Sequence, residues 1–277
     1  MIEKQLNSVM SSTSSLLLLV IISALLFTDV NTENRLKYLK SAGDFLNICP
    51  RGNHHKQVPT EESVLHGPCS DWQKRSCCTT DISENITKQH VMYNFNYNHC
   101  PGHHMSAKCK RHFLRDLCFY ECSPNVGPWL VKVSQSKIRN ERFVKVPLCK
   151  SECDSWWNDC KDEYTCRSNW AYGFNWTTGT NRCPEGSMCK TFTYHFKTAK
   201  KFCEQIWDQS YVVASDDEMC FRMWFNGSST PNPNDKVASL EAARLQMLLN
   251  HSHKFSISIY IVSLMSIVTF FLNSFSS

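Results

Sequence analysis

Apolar positions recur at helical spacing in three stretches, Cys109–Cys122, Lys150–Cys160 and Lys197–Trp207, and each is predicted as a helix. A short amphipathic helix is expected over Asp235–Leu249. Alternation in VMYNFNYN (91–98) and RFVKVPL (142–148) predicts two short strands. In the first helix Cys118 and Cys122 stand one turn apart on one face. Asp116 and Tyr120 form a second i, i+4 pair, about 200° around the axis. One face is therefore bolted down by sulfur, and the other offers a carboxylate beside an aromatic ring. On residues alone, an Asp on a solvated face is the plainer reading. Spacings of three residues also separate Cys149 and Cys153.

Two apolar runs lie at the ends. Leu16 to Phe27, broken only by Ser23 and preceded by Lys4, is too short to span a bilayer and suits a signal peptide. Cleavage is expected between Thr28 and Thr32. Phe255 to Phe270 follows a polar spacer, NHSHK, and no basic residue comes after it. That layout predicts a glycosylphosphatidylinositol (GPI) attachment signal rather than a transmembrane anchor. Asn250 or Ser252 is the expected attachment residue, or Ala242 or Ala243 if the spacer is longer. The boundaries predicted are a signal peptide over 1–32, one domain over 33–240, and an attachment signal and tail over 241–277.

With 42% hydrophobic and 20% charged residues in 277, the chain is no disordered protein. A net charge of +5 without a dense Lys/Arg stripe argues against a nucleic-acid partner. The 16 cysteines decide more. They are Cys49, Cys69, Cys77, Cys78, Cys100, Cys109, Cys118, Cys122, Cys149, Cys153, Cys160, Cys166, Cys183, Cys189, Cys203 and Cys220. An even number behind a signal peptide predicts about eight disulfides, with connectivity left open. Zinc knuckles and a redox CxxC motif are missing, so no metal is expected. Sequons mark Asn85, Asn175 and Asn226 for glycosylation, with Asn250 at the anchor. The fold expected is α+β, a helix-rich, irregular, small-core domain held by sulfur.

Catalysis has little support: G-x-S-x-G, H-E-x-x-H and a glycine-rich phosphate loop are all missing, so no enzyme and no cofactor is expected. The pairs His54-His55 and His103-His104 read as surface loops. WAYGFNW (170–176) gathers four aromatic rings, which could line a groove or pack against disulfides. Trp156, Trp157 and Trp207 lie near cysteines and read as core. Arg139 and Arg142 alone would be a solvated pair.

Together, LNICPRGNHHK (46–56), CKRHFLRDLCFYECSPNVGPW (109–129), VPLCKSECDSWWNDC (146–160), YTCRSNW (164–170), NPNDKVA (232–238) and the cysteine ladder resemble the folate receptor family. The resemblance spans Leu46 to Ala238. It implies a GPI-anchored receptor on the extracellular face of the plasma membrane that binds folates in a deep pocket and carries them into endosomes. It also implies residue roles. Asp116, in H-F-x-x-D-x-C-x-Y, would take the pterin amino and ring nitrogens, with Tyr120 as its partner. Arg139 and Arg142 would hold the pterin oxygen, although Ile138 replaces the family's Trp. Tyr93 and Trp207 would sandwich the pterin, and Ser210 would bond to it. Trp170, Phe174 and Trp176 would form the mouth, where Ala171 and Tyr172 replace the His and Lys that help hold the glutamate tail. One branch of the family, Juno-like, acts in egg-surface adhesion and would give a gamete-surface protein partner instead. That branch has an apolar residue in place of the pocket Asp, and this chain keeps Asp116. A riboflavin-type carrier is the third alternative.

Overall fold

The computed structural model of the chain describes residues 35–88, 92–133, 139–228 and 231–251. The signal segment, Ile138, Ser252 and the apolar tail lie outside the described residues. The chain falls into two units, 1–38 and 39–277. In the first, Arg35–Tyr38 forms a 3-10 turn. The second holds all the elements that follow.

Helix α1 (Ala42–Leu46) opens with a capping box in which Ser41 and Asp44 each accept from the other's backbone N–H. Helix α2 (Thr80–Thr87) is capped by Thr79. Helix α3 (Ala107–Cys122) is 16 residues long, begins where the Ser106 hydroxyl accepts the Cys109 N–H, and ends before Pro124. The hairpin β1 (Leu130–Lys132) and β2 (Glu141–Phe143) pairs Val131 with Arg142. Strand β3 (Val146–Cys149) leads into α4 (Lys150–Cys160). The short β4 (Tyr164–Thr165) and β5 (Lys190–Thr191) pair antiparallel. Helices α5 (Phe192–Phe196) and α6 (Ala199–Gln205) precede β6 (Tyr211–Ala214), which runs parallel to β3 with Tyr211 opposite Val146. A last helix, α7, covers 234–251. Among the described residues, no helix is long and apolar enough to cross a membrane.

The predicted helices are present, with one correction: the stretch expected over Lys197–Trp207 is helical only over Ala199–Gln205, because Lys197, with φ 67, closes α5 instead of opening α6. The two predicted strands are also corrected. VMYNFNYN is a turn from 92 onward, because Tyr93 and Asn94 adopt φ 55 and 50. RFVKVPL is two strands, broken at Lys145 with φ 57.

All sixteen cysteines are paired. Helix α3 carries three bridges: Cys109 to Cys160 of α4, Cys118 to Cys69, and Cys122 to Cys78. Cys153 of α4 reaches Cys203 of α6, and Cys149 reaches Cys220. The remaining pairs are Cys49–Cys77, Cys100–Cys189 and Cys166–Cys183. Between these staples lies an aromatic core in which Trp156, Phe113, Phe119, Phe192 and Phe202 are fully buried. Helix α7 packs through Ala242, and its Gln246 side chain accepts the Ala42 N–H at 2.7 Å.

Candidate functional site

The three bridges fix both the rotation and the depth of α3, and this decides where Asp116 points. The carboxyl is buried, against the plainer sequence reading of a solvated Asp. Its Oδ1 accepts the Tyr211 hydroxyl at 2.6 Å. Burial pushes the Asp116 pKa up to about 7, while Tyr211 and the Trp207 indole favour the charged form. The indole Nε1 is itself buried and makes no hydrogen bond of good geometry. Tyr97 and Tyr211 are both driven above the usual phenol range, first by burial and then by the Asp116 charge.

One turn along α3, the Tyr120 oxygen accepts from Arg139 Nη1 at 3.4 Å, and the guanidinium lies 5.7 Å from the Tyr120 ring. Arg142 reaches from β2 to the turn between α6 and β6. There Asp208 and Gln209 have φ 53 and 59 and reverse the chain. Arg142 donates to Asp208 Oδ2 at 2.8 Å, to the Asp208 carbonyl at 2.9 Å, and lies 3.4 Å from Ser210 Oγ. The Ser210 hydroxyl donates to the Trp207 carbonyl at 2.8 Å. Arg142, Trp207 and Ser210 are therefore joined at the turn before β6, Asp116 meets that turn through Tyr211 and Trp207, and Arg139 pairs separately with Tyr120 one turn along α3. The two arginines are held by side chains and carbonyls rather than standing as a solvated pair.

The aromatic residues divide differently from the sequence expectation. Trp170 and Phe174 are buried and Trp176 is exposed. Phe95, which sequence reasoning missed, sits at the centre of this group, 5.4 Å from Trp170, 5.9 Å from Phe174 and Trp207, and 6.3 Å from Trp176. Trp207 thus belongs to both the core and the site. Tyr93, expected to face Trp207, has its ring 4.9 Å from His54 and its hydroxyl on Glu121 Oε1. Glu121 is fully buried, with His55 Nε2 3.2 Å from Oε2 and His54 Nδ1 3.9 Å from Oε1. This corrects the surface-loop reading of His54-His55. His103 and His104 are exposed as expected, and His103 stacks on Tyr164 at 3.7 Å. The missed partners had a faint signal. Glu121 adjoins Tyr120 on α3, and Tyr211 adjoins Ser210, but neither spacing says which way the side chain turns.

The sequons differ in setting. Asn175 and Asn226 are exposed, and the side-chain oxygen of each accepts the backbone N–H two residues on, at 2.9 and 3.2 Å. Asn85 is half-buried on α2.

In chemical terms, the site offers a buried carboxyl that can accept paired N–H groups, two guanidinium groups and flat aromatic surfaces. It suits a planar, polar-edged heterocycle. A model of the folate receptor family matches residues 48–222. The chain is 47% identical over 206 residues to folate receptor gamma of Homo sapiens, covering 73% of this chain and 82% of that protein. It is 42% identical over 237 residues to folate receptor alpha of Homo sapiens, covering 84% and 89%. To the riboflavin-binding protein of Gallus gallus it is 28% identical over 178 residues, covering 63% and 71%.

Proposed function

The chain belongs to the folate receptor family, and from that premise we propose that it is a cell-surface receptor binding folic acid and reduced folates and delivering them by endocytosis. It is a binding protein and not an enzyme. The observation that carries the reading is the buried Asp116 carboxyl met by Tyr211 and Trp207, with Arg142 held on the same turn as Trp207 and Arg139 on Tyr120, one turn along α3. A pterin edge needs an acceptor for two N–H groups, and a carboxylate withdrawn from water supplies one strongly. The identity of 42% to folate receptor alpha against 28% to the riboflavin-binding protein supports folate over a flavin. The adhesion alternative has no comparison or geometric feature in its favour.

The protein is held on the membrane by a GPI anchor. Ala242 is fully buried on α7, which favours attachment near Asn250, an exposed residue, over the small pair at 242–243. Equilibrium binding of labelled folic acid to the secreted protein tests the function. Asp116→Ala should weaken it about 30- to 1000-fold, the 2–4 kcal/mol typical of removing a buried charged partner. A correctly folded Asp116→Ala protein binding as tightly as wild type would sink the assignment.

A further inference from the structure

Arg142, which the folate reading assigns to the ligand's head group, does not stand alone. Its guanidinium side chain is only 12% exposed and is met by a carboxylate of the chain itself, Asp208, at 2.8 Å. The second Asp208 oxygen accepts Asn169 Nδ2 at 3.0 Å, and Asn169 Oδ1 accepts the Ala171 N–H at 2.9 Å. Asp208 thus ties Arg142 to the start of the aromatic loop 170–176. Its backbone is left-handed, a conformation that Asp and Asn tolerate better than most residues, so the carboxylate is held where it is. An uncompensated guanidinium at this depth would attract a carbonyl oxygen and repel an edge rich in N–H groups or carrying positive charge. A carboxylate at contact distance cancels most of that field.

We propose that Asp208 sets the head-group selectivity of the candidate site: by compensating Arg142, it lets the site accept a heterocycle edge bearing an amino group as well as one bearing a carbonyl oxygen. This rests on the folate reading above and names the ligand class more finely. It covers 4-oxo pteridines and their 4-amino counterparts, the latter being the more readily protonated.

The test compares Kd for folic acid and its 4-amino analogue in wild type, Asp208→Asn, Arg142→Gln and the double variant. The amide keeps the left-handed backbone and the shape but removes the charge. Wild type should bind the two ligands within about tenfold of each other. Asp208→Asn should widen the gap in favour of folic acid by a further tenfold or so. With Arg142→Gln in the background, the same substitution should move the gap less than about threefold, because its effect passes through Arg142. A merely structural role for Asp208 would weaken both ligands alike and leave the ratio unmoved. That result overturns the proposal, as does an equal change with and without Arg142. If wild type binds neither ligand, the folate reading has failed and this inference falls with it. Should Asp208→Asn fold poorly, Asp208→Gly, which suits the left-handed backbone as well, carries the same comparison.

Discussion

Burial pushes the Asp116 carboxyl up to about 7, and this one value acts on stability and on binding with opposite signs. For stability, the folded protein favours the neutral acid while the unfolded chain ionises near 3.8. The contribution of Asp116 is therefore complete below about pH 4 and is lost as pH rises through 7, at up to about 1.4 kcal/mol per pH unit. Ligand-free protein should lose about 2–3 kcal/mol from this group between pH 5 and 7. Asp116→Asn should flatten that slope while impairing binding, and denaturant titrations at several pH values check it. For binding, only the carboxylate accepts both N–H groups of the ligand. Affinity is then nearly full at pH 7.4 and falls as pH drops below 7. At pH 5 about one molecule in a hundred is ionised, so affinity should drop roughly 50- to 100-fold from its neutral value. A reference Asp near 3.9 would leave endosomal pH without effect on this residue; desolvation moves its titration into that range. His99 is pushed down to about 4 by burial and is mostly neutral at endosomal pH. Burial lowers His112 as well, against the pull of Asp159. Binding measured from pH 7.4 to 4.5 decides the point, and a flat profile removes Asp116 from acid release.

The elements most legible in the sequence were those whose pattern and covalent ties agree. Helix α4 runs over Lys150–Cys160 as its spacing predicts, and α3 begins two residues before the periodic stretch. The failures share one cause, a residue forced into left-handed backbone where the pattern suggested a regular helix or strand. Lys145, with φ 57, separates β2 from β3 and sends its N–H to the Gln209 carbonyl at 2.8 Å. Nothing in RFVKVPL announces that break, because Lys is not a turn residue. The tertiary bond to the α6–β6 turn imposes it. Lys145→Val should therefore cost about 1–2 kcal/mol, since a β-branched side chain suits this backbone poorly, whereas Lys145→Gly should not destabilise. A continuous strand would reverse that order, and midpoints of chemical unfolding tell the two apart. The candidate site was legible in part for a similar reason. Asp116, Arg139 and Arg142 sit in motifs that resemblance identifies. Asp208, Phe95 and Glu121 act through contacts between distant segments, which one sequence does not display. The disulfide connectivity was hidden in the same way.

At the scale of the molecule, two covalent features set behaviour. The first is the proposed GPI anchor. Phosphatidylinositol-specific phospholipase C should release the protein from intact cells, and retention beside a control GPI protein that is released would favour a transmembrane segment. The second is the sulfur network. Bridges link residues 17 to 89 apart, the longest being Cys100–Cys189, and other long ones join α3 to α4, α4 to α6, and β3 to Cys220. Restricting the unfolded chain by loops of this size is worth about 3–5 kcal/mol for each bridge taken alone, and overlapping loops make the total less than the sum. A domain of this size has a net stability of about 5–15 kcal/mol. Loss of two or three long bridges thus removes most of it, whereas the buried aromatic residues remain the same. The bridges also fix the rotation of α3, so the site should fail with the fold rather than after it. Cys109→Ser with Cys160→Ser should lower stability by about 2–5 kcal/mol and weaken ligand binding. Protein expressed in a reducing cytosol, or reduced and alkylated, should bind no folate. Full binding by a reduced, alkylated sample would mean that the aromatic core alone positions Asp116, and the sulfur-held description would be wrong.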